Sequence, residues 1–222
     1  KPVKPNKVLV ILLGIVIGLL ISVGLVLARV VLRKGIESPE QLEELGINVY
    51  ASVPVSEEFA KRVERSSKWK NKNRDEAAVF LAIENPADLA IESIRGLRTS
   101  LHFAMMEARN NVLMITGASP NAGKTFISSN LAEVIAQTGK KVLFIDADLR
   151  KGYTHKLFNT ENNNGLSDIL SGKSSIEKAV QKISKIGFDY ISRGMVPPNP
   201  AELLMHKRFG ELIAWANEHY DL

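Results

Sequence analysis

The chain of 222 residues contains no cysteine. This absence excludes a disulfide framework and a thiolate metal site, and it favours a reducing compartment. None of the four histidines has the spacing of metal ligands, so we interpret them as structural or exposed: His102, His155, His206 and His219. Hydrophobic residues make up 45% and charged residues 24%, which excludes a chain that is disordered throughout. Lys1 stands where a methionine would begin a protein, so we expect a piece of something longer.

Charge is absent from one long stretch near the N-terminus. Residues 8–28 carry no charged side chain, and Ser22 is the only polar one among them. A helix of that length, at about 1.5 Å per residue, is about 30 Å long, the thickness of the hydrocarbon core of a bilayer. A buried core helix would show a polar face, and a cleaved signal peptide would have a shorter apolar region of about 7–15 residues. The sequence therefore predicts a transmembrane helix, which we bound at residues 8–32.

Positive charge is concentrated in the region that follows. Residues 61–74 contain seven basic side chains against Glu64, a surplus of +6 where the whole chain has +5. The stretch is either a solvated linker or a contact with anionic lipid, worth about 1 kcal/mol per basic residue near the surface. No base-reading module accompanies the charge, so nucleic acid is not an expected partner. Residues 33–78 are thus predicted to form a juxtamembrane segment and basic linker, with a short helix at Ser38–Gly46, N-capped by Ser38, and a short strand at Asn48–Val55.

A glycine-rich loop lies between a predicted buried strand, Val112–Thr116, and a predicted helix, Phe126–Thr138, ended by Gly139. Strand, loop, Lys-Thr pair and helix together form a P-loop, with an ordinary turn as the alternative. Its amides and the helix N-terminus direct positive partial charge at phosphate oxygens. The predicted nucleotide-binding residues are Ser119, Pro120, Asn121, Ala122, Gly123, Lys124, Thr125 and Phe126.

Individual residues of this loop have distinct expected roles. Lys124 supplies a full positive charge near the β- and γ-phosphates, and the hydroxyl of Thr125 can ligate Mg²⁺. One departure from the usual pattern is that Ala118 stands where a glycine is expected five residues before the Gly-Lys pair, with Gly117 one residue early. Because ATP is cytoplasmic, a nucleotide site here also sets the orientation: residues 1–7 form a periplasmic flank, and everything after the membrane helix is cytoplasmic.

Two carboxylates follow the next predicted strand, Lys141–Ile145. Asp146 and Asp148 come directly after it, with Arg150 two residues further on. Carboxylates at the end of a buried parallel strand lie in the crevice where ligands bind in open α/β sheets. Beside a P-loop they can hold Mg²⁺ through water or take a proton from an attacking hydroxyl. The alternative is that Asp148 merely caps the following loop.

In combination these motifs resemble those of the bacterial tyrosine kinases, most closely the Wzc/Etk type. The residues that carry the resemblance are Ala118-x-x-Pro-x-x-Gly-Lys-Thr125, Asp146-x-Asp-x-Arg150, Glu92-x-x-Arg95-x-x-Arg98 and Pro197–Leu204. Alanine at the place of Ala118 is that family's own variant of the P-loop. The resemblance covers nearly the whole chain and implies that residues 79–222 are a P-loop α/β domain with a mainly parallel sheet and helices on both faces.

The resemblance also implies an activity and its partners. The expected reaction is MgATP-dependent autophosphorylation on tyrosines, with Lys124, Asp146 and Asp148 as catalytic residues, ATP or ADP as the nucleotide, and Mg²⁺ held by Thr125, Asp146 and Asp148. The expected partners are further copies of the chain in a ring-shaped oligomer, the bacterial inner membrane, the machinery that polymerises and exports capsular or exopolysaccharide, and a cognate tyrosine phosphatase.

Two further groups of residues have two interpretations each, and a third has a structural one. Glu92, Arg95 and Arg98 either pair within their helix, predicted at Ala87–Glu107, or contact a neighbouring subunit, as the resemblance implies. Tyr153 and Arg193, which follows the predicted strand Phe188–Ser192, are either surface residues or a phosphorylated tyrosine and the arginine that pairs with its phosphate. Asn199, Pro200 and Glu202 fit the N-cap, first turn and third position of a helix, a structural role.

The chain ends at Tyr220-Asp221-Leu222, before the Walker B aspartate and the tyrosine-rich tail of the family. We therefore expect this piece to be a weak or inactive kinase with an incomplete sheet. Two other functions remain open: an ATPase of the ParA/MinD type, which transfers the phosphoryl group to water, and a scaffold for polysaccharide export whose assembly is switched by ATP without catalysis.

Overall fold

The computed structural model describes residues 7–32, 36, 38–57, 80–119, 122–183 and 185–222. The chain divides into two compact units, residues 1–49 and residues 50–222. Most of the predicted basic linker, including residues 61–74, lies outside the described residues, and so do the N-terminal flank and two predicted nucleotide-binding residues, Pro120 and Asn121.

The first unit contains one long helix and one short one. Helix α1 spans Lys7–Val31, and its part from Lys7 to Arg29 is long and apolar enough to cross a membrane. Helix α2, Glu40–Glu43, begins one residue later than predicted. Pro39 rather than Ser38 occupies the N-cap, because the carbonyl of Pro39 accepts the first helical hydrogen bonds, from Leu42 and Glu43. Gly46 follows with a φ of 77°, in the left-handed region that glycine adopts readily.

The second unit is an α/β domain built around a three-stranded sheet. Its strands are β1 (Leu143–Ile145), β2 (Gln181–Lys182) and β3 (Asp189–Ile191), in the order β1-β3-β2. β1 and β3 are parallel, and the edge strand β2 is antiparallel to β3. Its helices are α3 (Leu81–Glu84), α4 (Leu89–Met105), α5 (Lys124–Ala136), α6 (Thr154–Leu157), α7 (Leu166–Leu170), α8 (Ile176–Ala179), α9 (Pro200–Leu204) and α10 (Lys207–His219). The predicted helices at 87–107 and 126–138 correspond to α4 and α5, each within two residues at either end.

The two faces of the sheet pack against different sets of helices. Successive side chains of a strand point to opposite faces. Accordingly Tyr190 lies in a core cluster with Ile94 of α4 and Leu131 of α5, while the next residue, Ile191, lies in a second cluster with Leu170 of α7 and Leu212 of α10. The predicted architecture, an α/β domain with helices on both faces of the sheet, is confirmed.

Two predicted strands are wrong. Val112–Thr116 and Asn48–Val55 are not assigned as strands, and no main-chain ladder joins either segment to another described strand. A strand is stabilised by hydrogen bonds with a neighbour, which an apolar run cannot supply by itself. The first segment still packs Ile115 against the core. The second packs Val53 against the core, and Ser56, the residue that follows it, donates a hydrogen bond from Oγ to the carboxylate of Asp88 (2.7 Å), the N-cap of α4.

Candidate active site

The predicted phosphate loop leads directly into α5. Gly123 is the N-cap of this helix and has a φ of 80°, which side chains rarely adopt, so glycine is required there. Lys124 is the first helical residue, and its Nζ donates a hydrogen bond back across the loop to the carbonyl of Ser119 (3.2 Å). The ammonium group therefore lies beside the carbonyl of Ser119, where it would meet an anion held by the amides at the start of α5.

The structure also explains why Ala118 is tolerated where the usual pattern has glycine. Among the described non-glycine residues, only Asn159 and Asn164 have a positive φ, so Ala118 is not strained. The position that needs a small residue is Gly117, because a Cβ there would lie 3.0 Å from the Cγ of Lys124. A glycine at this position therefore leaves room for the lysine side chain.

The remaining predicted loop residues differ in what they can offer a ligand. Thr125 lies in the first turn of α5 and is half-buried, and its carbonyl accepts a hydrogen bond from Ser129 Oγ (2.7 Å). Ala122 is exposed. The side chain of Phe126 packs against the core, so only its main chain is available to a nucleotide.

The connection between α5 and β1 indicates where the ends of these two elements lie. A short turn that contains Gly139 (φ 86°) connects α5 to β1, and the helix packs against the strand. Two packed elements joined by a short turn run antiparallel, so the N-terminus of α5 and the C-terminus of β1 are neighbours. This edge is where ligands bind in open α/β sheets, and we infer that Lys124 lies there on the side of Asp146 and Asp148.

Asp146 is almost completely buried, with 6% of its surface exposed. Its carboxylate accepts hydrogen bonds from the hydroxyl of Thr154 and from the main-chain amides of Asp148 (3.1 Å) and Thr154 (3.4 Å). Burial raises the pKa of the Asp146 carboxyl above its ordinary value, and the hydrogen bonds, that of the Thr154 side chain foremost, oppose this rise. A buried carboxylate held by three donors has one fixed orientation.

Asp148, by contrast, is exposed. One of its carboxylate oxygens accepts both the amide of Arg150 (3.2 Å) and that of Lys151 (2.9 Å). Asp148 therefore caps the following loop, as the predicted alternative stated. The other oxygen has no hydrogen bond among the described residues, so the same side chain can still contact a ligand.

Gly152 packs directly against the carboxylate of Asp146 and the main-chain carbonyl of Asp148. A Cβ on Gly152 would lie 2.6 Å from each carboxylate oxygen of Asp146 and 2.5 Å from the carbonyl of Asp148. We expect Gly152→Ala to displace the Asp146 side chain and to lower the free energy of unfolding by about 1–3 kcal/mol, as overpacking does. Urea denaturation of the purified protein would measure this loss. Gly96→Ala is the matched control, since nothing lies within 4 Å of its Cβ position, and equal stability of the two variants would contradict the prediction.

Oxygen donors at this edge fit the cation that the sequence predicts. No group of three or more histidine, aspartate or glutamate side chains forms a metal cluster in the described part of the chain. Mg²⁺ does not need one, because it usually keeps several waters and takes one or two carboxylates together with phosphate oxygens. The hydroxyl of Thr125 and the exposed carboxylate of Asp148 are ligands of that kind, whereas Asp146 is already occupied by three donors.

Tyr153 and Arg193 lie near this edge, but no contact between them is present. Tyr153 precedes α6 and is 44% exposed. Arg193 follows β3, and its Nε is buried without a partner among the described residues. Burial, followed by the positive charge of Arg193, lowers the pKa of His155 on α6, so the guanidinium lies within electrostatic range of that helix. The pairing of Arg193 with a phosphate on Tyr153 stays a prediction.

The predicted oligomer-contact residues lie on α4. Arg95 Nη1 donates hydrogen bonds to the carboxylate of Glu92 (3.1 Å) and to the carbonyl of Pro86 (2.8 Å). Such an exposed pair contributes only about 0.2–0.5 kcal/mol to the helix. Arg98 is half-buried and has no ion pair with another described residue. The pairing within the helix is thus present, and the contact with a neighbouring subunit stays a prediction.

The segment around Asn199 has the structural role that was predicted. Asn199 is the N-cap of α9, Pro200 is its first residue, and Asn199 Nδ2 donates a hydrogen bond to Glu202 (2.7 Å).

Sequence reasoning missed Gly152 and Thr154, both of which contact Asp146. The only signal for them was their position, a few residues after the Asp-x-Asp motif.

The sequence of the chain is similar to those of known proteins. A family model described as an AAA domain matches residues 100–205. A Klebsiella pneumoniae protein described as a tyrosine-protein kinase in the cps region is 70% identical over 223 residues, and the tyrosine-protein kinase etk of Escherichia coli K12 is 58% identical over 226 residues. Both matches cover the whole of this chain but 31% of the relative.

A solved structure matches most of the chain. The kinase domain of the Escherichia coli tyrosine kinase ETK superposes with a TM-score of 0.76 at 58% identity, over 85% of this chain and 72% of that one. The sequence in hand therefore spans about a third of its full-length relatives and most of the kinase domain of one of them.

Proposed function

Because the chain belongs to the bacterial tyrosine kinases of the Etk and Wzc type, we propose that it transfers the γ-phosphoryl group of ATP to tyrosine hydroxyls. One inference carries this proposal: α5 packs against β1 and is joined to it by a short turn, which puts the ammonium of Lys124 and the amides at the start of α5 at the edge where the two carboxylates follow β1. Phosphoryl transfer needs positive charge to position and stabilise the phosphates and a group that accepts the hydroxyl proton.

Each residue then has a specific part in the transfer. The amides of Gly123 to Thr125 and the ammonium of Lys124 hold the β- and γ-phosphates and stabilise the charge that develops as the bond to the leaving oxygen breaks. The exposed carboxylate of Asp148 accepts the proton of the attacking tyrosine hydroxyl, since it has an oxygen free of main-chain donors. Asp146, fixed in its orientation, accepts a hydrogen bond from the main-chain amide of Asp148 and so holds the proton acceptor in place.

A divalent cation fits this arrangement. Mg²⁺, when bound, would neutralise phosphate charge, with the hydroxyl of Thr125 as its protein ligand and the two carboxylates acting through its water shell, which leaves the free oxygen of Asp148 for the proton. We propose Mg²⁺ for this chain because the donors available at this edge are oxygen atoms.

The setting of the reaction follows from the first unit and from the family. We propose that α1 spans the bacterial inner membrane and that residues 79–222 lie in the cytoplasm, where ATP is available. The full-length protein would phosphorylate neighbouring copies in a ring-shaped oligomer, and a tyrosine phosphatase would remove these phosphates. The phosphorylation would regulate the polymerisation and export of capsular or exopolysaccharide. The oligomer contact would use Glu92, Arg95 and Arg98, and Tyr153 with Arg193 would form an internal regulatory pair.

An ATPase of the ParA/MinD type is the second candidate, because it shares the P-loop and the carboxylate at the end of the next strand. It is disfavoured by the apolar helix α1 and by Ala118 and Ser119, which stand where that class carries an extra lysine early in the loop. The two functions differ in the acceptor of the phosphoryl group.

Turnover of γ-labelled MgATP by the purified full-length protein separates these functions. We expect label on tyrosine to account for most of the early turnover. Free phosphate released at a steady rate, with no phosphotyrosine, would instead establish the ATPase. Treatment with a tyrosine phosphatase before the assay removes phosphotyrosine already present, so that new label can be counted.

A further inference from the structure

A chain of three buried polar side chains connects β1, α6 and β3. The hydroxyl of Thr154 donates a hydrogen bond to the carboxylate of Asp146, and its oxygen lies 2.7 Å from the hydroxyl oxygen of Tyr190. Their exposed fractions are 6% for Asp146, 5% for Thr154 and 0% for Tyr190. Water cannot substitute for any of these contacts without entering the core.

The direction of the hydrogen bonds follows from the number of protons. A threonine hydroxyl has one proton to donate, and that proton goes to the carboxylate of Asp146. The hydroxyl of Tyr190 must therefore donate to the oxygen of Thr154. The chain runs in one direction, from Tyr190 through Thr154 to Asp146, so each member fixes the orientation of the next.

Thr154 is also the only side chain among the described residues that hydrogen-bonds the Asp146 carboxylate; its other donors are main-chain amides. Gly152, two residues earlier, leaves room for the carboxylate, because a Cβ there would lie 2.6 Å from each of its oxygens. The hydroxyl of Thr154 adds an attractive contact, and this hydrogen bond links the first residue of α6 to the end of β1.

We propose that Thr154 is a positioning residue for phosphoryl transfer: its hydroxyl holds the Asp146 carboxylate in the single orientation that the reaction uses, and Tyr190 orients that hydroxyl. This inference rests on the proposed kinase function and adds a role for a residue that contacts neither nucleotide nor acceptor. Groups that orient a catalytic carboxylate from behind typically change activity by about 10–100-fold when they are lost.

Thr154→Val tests the role, because valine keeps the shape of threonine and lacks the hydroxyl. We expect kcat for tyrosine phosphorylation by the full-length protein to fall by about 10–100-fold, while KM for ATP changes by less than about threefold. Binding of ADP in the presence of EDTA should be unchanged, because Lys124 and the loop amides supply it. Thr154→Ser keeps the hydroxyl and should restore most of kcat.

Two further variants separate positioning from folding. Thr154→Val leaves the hydroxyl of Tyr190 buried without a partner, which destabilises the domain. The double variant Thr154→Val with Tyr190→Phe removes that hydroxyl as well, so we expect it to regain stability toward urea but to keep the low kcat. Thr160→Val is the matched control and should retain wild-type kcat, because the hydroxyl of Thr160 only contacts the carbonyl of His155 (3.4 Å).

The outcomes are distinct. A folded double variant with wild-type kcat, or a Thr154→Ser variant as slow as Thr154→Val, would show that the hydroxyl does not position Asp146. A rise in KM for ATP at unchanged kcat would equally overturn the proposal. If the wild-type protein itself forms no phosphotyrosine from MgATP, the kinase function fails first, and that result is visible before any Thr154 variant is compared.

Discussion

Lys124→Met in the full-length protein is expected to abolish tyrosine phosphorylation. Lys124 carries the only side-chain ammonium of the loop, and its Nζ already reaches across to Ser119. Methionine keeps the length and apolar stem of lysine, so the loop around Gly117 should retain its path. Without the charge, the phosphates lose a contact that strengthens as negative charge develops, and the rate should fall by at least about 100-fold. Phosphotyrosine per chain after incubation with MgATP would measure the loss.

The matched control for this experiment is Lys140→Met. Lys140 is an exposed lysine in the turn at the opposite end of α5, so its replacement changes the net charge equally without touching the loop. We expect Lys140→Met to phosphorylate at the wild-type rate. Undiminished phosphotyrosine in the Lys124→Met protein would remove the kinase hypothesis, since no other described side chain places a positive charge in the loop.

The parts of the fold that could be predicted from the sequence are those with local causes. Helices α4 and α5 carry apolar residues at helical spacing, and the left-handed Gly139 ends the second of them, so both were found to within two residues. The loop before α5 could be predicted equally well, because Gly123 and Lys124 occupy adjacent positions of one motif. In each case the residues that determine the structure lie within a few positions of one another.

The two wrong strands have a different cause. Val112–Thr116 has the composition of a buried strand, but a strand also needs a neighbour to supply its main-chain hydrogen bonds. That neighbour is set by tertiary structure, which the composition of the segment does not encode. Ile115 still faces the core, so the prediction of burial was partly useful where the prediction of pairing was not.

In the site, too, local features could be predicted and tertiary contacts could not. Asp146 and Asp148 were predicted as an equivalent pair because they are one residue apart after a strand, yet one is buried under three donors and the other is exposed. The difference arises from Thr154, eight residues further along, and from Tyr190 on another strand. A spacing rule identifies carboxylates that can meet a ligand. Which of them is free to accept a proton depends on contacts between distant segments.

Asp148→Asn is expected to separate the kinase from the non-catalytic scaffold. The Asp148 side chain is exposed and makes only main-chain contacts at one oxygen, so asparagine can keep the hydrogen bonds to the amides of Arg150 and Lys151. The stability toward urea should therefore match that of the wild type. An amide cannot accept the hydroxyl proton, and phosphotyrosine formation should fall by about 100-fold or more. ATP binding should persist, because Lys124 and the loop are untouched.

The same variant in cells tests what the phosphorylation is for. If catalysis regulates the polymer, export of polysaccharide changes in the Asp148→Asn strain while the protein still oligomerises in response to ATP. A scaffold that ATP merely switches would export normally with no phosphotyrosine, because its nucleotide site is intact. Glu161→Gln is a suitable control, since it removes an exposed carboxylate at a distance from the loop and leaves its own carbonyl free to accept from Gln181. Export that is lost in the Asp148→Asn strain and kept in the Glu161→Gln strain would assign the effect to the proton acceptor rather than to a change in surface charge.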